Sequence, residues 1–215
     1  MTTHHSPEFT RLVAGYRRFR DTGWTPKRDR WAQLRDGQQP ETMIIACSDS
    51  RVDPAQIFDA DPGEIFVVRN VANLVPPFES DGGRHGVSAA LEFAVTQLKV
   101  REIVVMGHEH CGGIQAALTG QFHNAPAGEG GFVASWMAQI DGPAAEIARA
   151  HGTGEDAARV LEEVGIRLSL ANLRSFPFVA EREAKGEVSI LGCHFSIAEG
   201  QLYLLDEAED SFRPV

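Results

Sequence analysis

Cysteine is scarce in this chain, with three in 215 residues. So small and odd a number is no disulfide framework, and it suits a reducing, cytoplasmic setting in which thiols bind metal. Basic residues are also in deficit: 20 Lys and Arg stand against 30 Asp and Glu, a formal net charge of −10. With no Lys/Arg cluster the chain offers no footprint for nucleic acid, and its acidity argues against an anionic membrane surface. No apolar run approaches the roughly 20 residues of a membrane span. The opening residues, Met1-Thr2-Thr3-His4-His5-Ser6-Pro7, lack the basic start and apolar stretch of a secretory signal. What is present is 43% hydrophobic residues, enough to bury a core, in a length that fits one domain over residues 1–215.

The apolar patterning predicts an α/β fold. Short apolar runs at Met43–Cys47, Ile65–Arg69, Glu102–Gly107 and Val188–His194 read as buried parallel strands. Gln201–Leu205, after the Glu199-Gly200 turn, reads as an antiparallel edge strand, giving four parallel strands plus one. Helices are expected from Asp53-Pro54, along the stripe Val87, Ala90, Leu91, Ala94, Val95 and Leu98, and from Gly112. Others are expected through Phe132, Trp136 and Ile140 to a stop at Asp141-Gly142-Pro143, then over Ala144–Ala150, Asp156–Leu173 and from Pro177. Ser6-Pro7 marks a helix start, and residues 1–36 form an amphipathic helical arm.

Two of the strands empty into chemistry. The first ends in Cys47-Ser48-Asp49-Ser50-Arg51, the third in His108-Glu109-His110-Cys111-Gly112-Gly113. Ligand sites of open α/β sheets lie at the carboxyl ends of strands where the strand order reverses. If the two strands are neighbours, Cys47, His108 and Cys111 converge: two thiolates and an imidazole, with a fourth position open, is a catalytic zinc set. A lone buried cysteine is usually only a small hydrophobe, and His-x-x-Cys alone is a weak motif; their joint position at strand ends makes metal binding the better reading. In an extended segment Cys47, Asp49 and Arg51 face one pocket, and Asp49 and Arg51 form a bidentate pair. Gly112 and Gly113 allow close backbone approach and open a helix whose amides favour an anion. His110, next to Cys111, reads as a group at the site mouth, either a proton shuttle or simply exposed. Cys193 reads as core, and His85, His123, His151 and His194 as structural.

These residues resemble the β-class carbonic anhydrases, with the plant-like branch as the nearer pattern. The likeness extends through Pro62-Gly63-Glu64 and Val68-Arg69-Asn70-Val71-Ala72-Asn73, and from about Gly37 to the C-terminal hairpin. It implies a carbonate dehydratase holding one Zn2+ per subunit on Cys47, His108 and Cys111, with Asp49 and Arg51 as catalytic dyad. Asp49 would occupy the zinc only in a closed, inactive state at low pH. Gln38 and the Gly112 amide would hold bicarbonate, and Phe66, Val71 and Phe93 would line a CO2 pocket. Phe93 stands where that branch carries tyrosine. Ile44 replaces the tryptophan of a regulatory bicarbonate site found in another branch, against that form of regulation. The resemblance also implies a homodimer or larger homo-oligomer, with N-terminal helices reaching to the second subunit and a pocket lined from both chains. Two thiolates cancel the metal's charge, which makes it a weaker Lewis acid and places activity on the alkaline side. Rival readings are a CS2/COS hydrolase on the same zinc site and a non-catalytic zinc- or bicarbonate-sensing module.

Overall fold

The computed structural model describes residues 6–81 and 83–215. The start Met1–His5, where a secretory signal was sought, and Gly82 of the Asp81-Gly82-Gly83 break lie outside the described residues. The chain forms two compact units, residues 1–39 and 40–215.

The first unit is helical. Helix α1 (Pro7–Phe19) starts as its sequence predicts: Pro7 sits in the first turn, and the Ser6 Oγ accepts the Phe9 N–H at 3.2 Å. A π-helical turn, Arg20–Trp24, leads on to α2 (Arg28–Leu34). The Phe19 and Trp31 rings meet edge to face at 5.9 Å. Leu12 and Tyr16 of α1 are exposed.

The second unit is built on one six-stranded sheet. Its strands are β1 (Thr42–Cys47), β2 (Ile65–Asn70), β3 (Glu102–His108), β4 (Ser189–Ser196), β5 (Gln201–Asp206) and β6 (Ser211–Pro214), in spatial order β2-β1-β3-β4-β5-β6. The first four pair in parallel, β5 pairs antiparallel with β4, and β6 pairs antiparallel with β5. From β1 the chain goes first to β2 on one side and then to β3 on the other. The strand order therefore reverses at β1/β3, and the crevice there opens at Cys47 and His108.

Helices cover the sheet: α3 (Pro54–Ile57), α4 (Gly86–Glu92), α5 (Gly112–Thr119), α6 (Gly131–Met137), α7 (Asp141–His151), α8 (Glu155–Leu173) and α9 (Pro177–Ala184). Alternation along β1 sends Ile44 and Ala46 into one apolar cluster, with Ile114, Ile140 and Leu161. Met43 and Ile45 enter the other, with Leu91, Val95, Leu170 and Phe176. Among the described residues no helix is long and apolar enough to cross a membrane.

The expected four parallel strands and antiparallel hairpin are present. The sheet adds β6, whose short run around Phe212 has too few apolar residues to register as a strand and ends in a proline that only an edge tolerates. Asp141-Gly142-Pro143, read as a stop, instead starts α7, since proline fits a first helical turn. The stripe from Val87 to Leu98 begins as α4 and continues as a π-helical stretch, Phe93–Leu98, closed by Lys99 in the left-handed region.

Gly107, one residue before His108, has no room for a side chain: a Cβ there would lie 2.7 Å from Ile166 Cδ1. A methyl at Gly192 would meet the same side chain at 2.8 Å. Gly107→Ala is expected to cost about 1–3 kcal/mol by overpacking. In an Ile166→Ala background the same change is expected to cost less, because the clashing atoms are gone. Denaturant unfolding of the four proteins of this cycle checks it; equal costs in both backgrounds would refute the packing account.

Candidate metal centre

Pairing of β1 with β3 brings the two motif-bearing strand ends side by side. A sulfur from Cys47, a sulfur from Cys111 and a ring nitrogen of His108 all lie within 4.8 Å of one another. The two sulfurs are 3.9 Å apart. All three residues are buried, His108 completely. Its Nδ1 lies 2.9 Å from the Glu109 carbonyl, which accepts from it and so leaves the free lone pair on Nε2. That Nε2 is buried without any hydrogen-bond partner. An orphaned imidazole nitrogen aimed between two sulfurs is what a tetrahedral N/S metal ion would satisfy, so the donor set fits zinc.

The electrostatics agree. A hydrogen bond from Cys111, opposed by burial and helped by His108 and the Asp49 N–H, pulls the Cys47 thiol down to about 4. The hydrogen-bonded Cys47 thiolate and burial together push Cys111 up, against the Gly113 and Ile114 N–H groups at the start of α5. Burial opposes a charge on His108, yet the neighbouring Cys47 outweighs it and raises the imidazole. By themselves the two sulfurs keep one negative charge; a bound dication is what lets both ionise.

Asp49 and Arg51 meet in a bidentate pair, Nε to Oδ1 at 2.9 Å and Nη2 to Oδ2 at 2.7 Å. The route differs from the extended one expected. Residues 49–52 form a turn, with the Val52 N–H on the Asp49 carbonyl at 3.2 Å and the Arg51 N–H on Asp49 Oδ1 at 2.9 Å. An Asx-type turn reaches the same pairing because the aspartate bonds its own backbone two residues on. The guanidinium holds the Asp49 carboxyl far below the usual carboxylate range. It also donates to the His110 carbonyl at 3.0 Å, which ties the two motif loops together.

His110 presents this carbonyl from a left-handed backbone, φ 54°, while its side chain is half exposed. The Glu109 carboxylate turns away to accept the Ala198 N–H at 2.9 Å and the Ser196 hydroxyl at 3.2 Å, which lowers its pKa. Glu109 thus fixes the β4–β5 turn. Cys193 is buried, and burial pushes its thiol up to about 12, as befits a core residue.

Of the expected pocket residues, Val71 is beside the metal loops: a Cβ on Gly113 would lie 2.7 Å from its Cγ1, so Gly113 must be glycine. The Trp136 indole N–H holds the Val71 carbonyl at 2.7 Å. A Cβ on Gly112 would meet nothing within 4 Å, and the residue is exposed. Phe66 and Phe93 pack on each other at 6.0 Å. Phe66 is in register with Met43, four residues before Cys47, or about 13 Å down the strand. This unit therefore does not bring them to the sulfurs. Gln38 is exposed and belongs to the first unit.

Arg69 is a site residue that motif reading missed. From β2 its guanidinium donates to the carbonyls of Cys47 (2.9 Å), Asp49 (2.5 Å) and Val52 (3.2 Å), and to the Asp53 carboxylate (3.1 Å). It clamps the whole Cys47–Asp53 loop. Only a partly buried arginine in an otherwise apolar strand signals it.

The carbonic anhydrase family model matches residues 42–202. β-Carbonic anhydrase 3 of Arabidopsis thaliana is 36% identical over 194 residues, covering 88% of this chain and 74% of the relative. The mitochondrial β-carbonic anhydrase 6 of the same plant is also 36% identical, over 86% of this chain, which spans 63% of that relative's length. A Synechocystis carbonic anhydrase is 33% identical over 91% of this chain and 70% of its own. Among solved structures, the β-carbonic anhydrase CcaA superposes with a TM-score of 0.88 at 31% identity, covering 98% of this chain and 93% of that one. A tetrameric β-carbonic anhydrase from Sordaria macrospora gives 0.78 at 26% identity, over 94% of this chain and 98% of that one. By fold, by site geometry and by these matches, the chain belongs to the β-class carbonic anhydrases.

Proposed function

We propose that this protein catalyses the reversible hydration of CO2 to bicarbonate and a proton, with zinc held by Cys47, His108 and Cys111. The observation that carries the reading is the unpartnered, fully buried His108 Nε2 facing two sulfurs, with the Asp49–Arg51 pair beside them. Zinc, when bound, supplies a Lewis acid that lowers the pKa of a bound water. The chain supplies the rest. Asp49 accepts a hydrogen bond from the attacking hydroxyl and so aims a lone pair at CO2. Arg51 keeps the Asp49 carboxylate ionised and oriented, and the His110 carbonyl keeps Arg51 in place. Val71 gives the neutral substrate an apolar wall, and the N–H of exposed Gly112 offers bicarbonate a donor. With Asp49 turned onto Arg51, Cys47, His108 and Cys111 are the residues that would hold the ion, and Asp49 is free of it. The closed state, with Asp49 on the metal, would require this pair to break.

The pocket is completed by a second copy of the chain. Phe66 and Phe93 lie away from the sulfurs of their own unit, and β2, which carries Phe66, is the outer strand of the sheet, its far edge unpaired among the described residues. A long apolar edge is a template for another strand. A second protomer would bring its own Phe66, Phe93 and Gln38 toward the site.

Stopped-flow CO2 hydration on zinc-quantified protein, from mildly acidic to alkaline pH, tests the activity. Fast turnover rising toward alkaline pH is expected, with Asp49→Ala slowing it by about a hundredfold or more through lost orientation. Full zinc occupancy without turnover at any pH would sink the reading and direct the search to CS2 and COS, then to a sensing role. Sedimentation equilibrium is expected to give at least twice the 23.5 kDa of one chain. A monomer with full activity would refute the shared pocket.

A further inference from the structure

A buried carboxylate reaches the metal centre from a distant part of the chain. Glu162 lies on α8, 51 residues beyond Cys111, and its Oε1 accepts the Cys111 N–H at 3.0 Å. Its Oε2 accepts from His194 Nε2 at 2.9 Å. Both side chains are out of water, with 3% and 0% exposure. Arg159 Nη1 lies along the edge of the His194 ring, 2.5 Å from Nδ1 and 3.2 Å from Nε2. Arginine can only donate, so Nδ1 is the acceptor and the His194 proton sits on Nε2, directed at Glu162. Arg159 is held in turn by Glu163 at 2.9 Å, and Glu163 by Arg167, which bonds Asp210 at 2.6 Å. A chain of hydrogen bonds and one ion pair, Glu163 to Arg167 at 3.6 Å, runs from the β5–β6 turn, through α8 and β4, to the amide of Cys111.

We propose that Glu162, held by His194 and Arg159, is a positioning residue that sets Cys111 for metal binding and adds negative potential beside the ion; this rests on Cys111 being a zinc ligand. A backbone amide needs only a neutral acceptor, and burying a carboxylate for that purpose costs several kcal/mol unless it is compensated. Here compensation comes from the His194 Nε2–H and the Cys111 N–H, with Arg159 against the ring, near where a dication would sit. Fixing the Cys111 amide also fixes the direction in which its sulfur leaves the chain. Cys111 is the residue before α5, so its N–H lies outside the helix ladder and would otherwise be an unpaired buried donor. The carboxylate therefore meets a backbone requirement and a metal requirement at once.

The test measures zinc, not turnover. Zinc affinity is determined by competition with a chromophoric chelator for the wild type, Glu162→Gln and Glu162→Ala, and melting temperatures are taken for zinc-loaded and zinc-free forms. Both variants are expected to bind zinc about ten- to hundredfold more weakly, the range for lost support of a metal ligand. The gap in melting temperature between loaded and zinc-free protein is expected to narrow. Should the alanine variant fail to fold, the isosteric glutamine variant decides. A Glu162→Gln protein with wild-type zinc affinity and an unchanged gap, whatever its overall melting temperature, would reduce Glu162 to a structural residue and overturn the proposal. A wild-type protein that takes up no zinc would instead sink the metal-centre reading itself, so the two failures are distinguishable.

Discussion

Everything at the site follows from two cysteine sulfurs held 3.9 Å apart inside a core. Two thiolates at that distance repel by about 4 kcal/mol even at an effective dielectric of 20. The fold relieves little of this repulsion with a cationic side chain, since Arg51, which both sulfurs attract, is paired with Asp49. It offers backbone N–H groups, from Asp49 to Cys47 and from Gly113 and Ile114 to Cys111, and an imidazole nitrogen with nothing else to bind. Amides soften a thiolate without neutralising it. The arrangement is therefore complete only around a cation that prefers sulfur and nitrogen. The two tight loops at the ends of β1 and β3, the Arg69 clamp and the glycine at 113 are the means of holding that incomplete arrangement still.

Those means differ in how plainly the sequence displays them. Cys47, His108 and Cys111 could be read because each terminates an apolar strand, and parallel neighbours must then bring the ends together. Asp49 and Arg51 could be read as a pair, though their contact comes through a turn and not through extended alternation. The parallel sheet was legible from the spacing of its apolar runs, whereas β6 was not, since its four residues hold too little pattern to exceed noise. Arg69 and Glu162 were not legible either. Each is a charged residue in an otherwise apolar strand or helix face, a local contradiction whose partner lies far away in sequence. His194 shows the same difficulty from the other side: in sequence it is an isolated histidine in a strand, and only its neighbours Glu162 and Arg159 give it a tautomer and a direction.

Such contradictions are informative once the fold is known. A charge buried in an apolar element persists only if something repays its desolvation. For Arg69 the repayment is three carbonyls and a carboxylate of one loop. For Glu162 it is a histidine and an arginine on one side and the amide of Cys111 on the other. One positions the loop of the first cysteine and the other the loop of the second. The two loops are then joined by the Arg51 guanidinium, which bonds the Asp49 carboxylate in one and the His110 carbonyl in the other.

The same electrostatic arithmetic favours a neutral substrate. A dication with two thiolates carries no net charge, and the Asp49–Arg51 pair cancels within itself. A pocket of that kind imposes no Coulombic toll on CO2, which has little polarity for a charged site to use. Under the proposed hydration, bicarbonate would meet amide donors, while among the described residues the cation near the sulfurs, Arg51, is already paired with Asp49. Its hold is correspondingly weak, and weak retention of an anionic product is what a fast hydration in the forward direction requires. On the proposed function, the two sulfur ligands that would make the metal a poorer acid would thus also let the product leave.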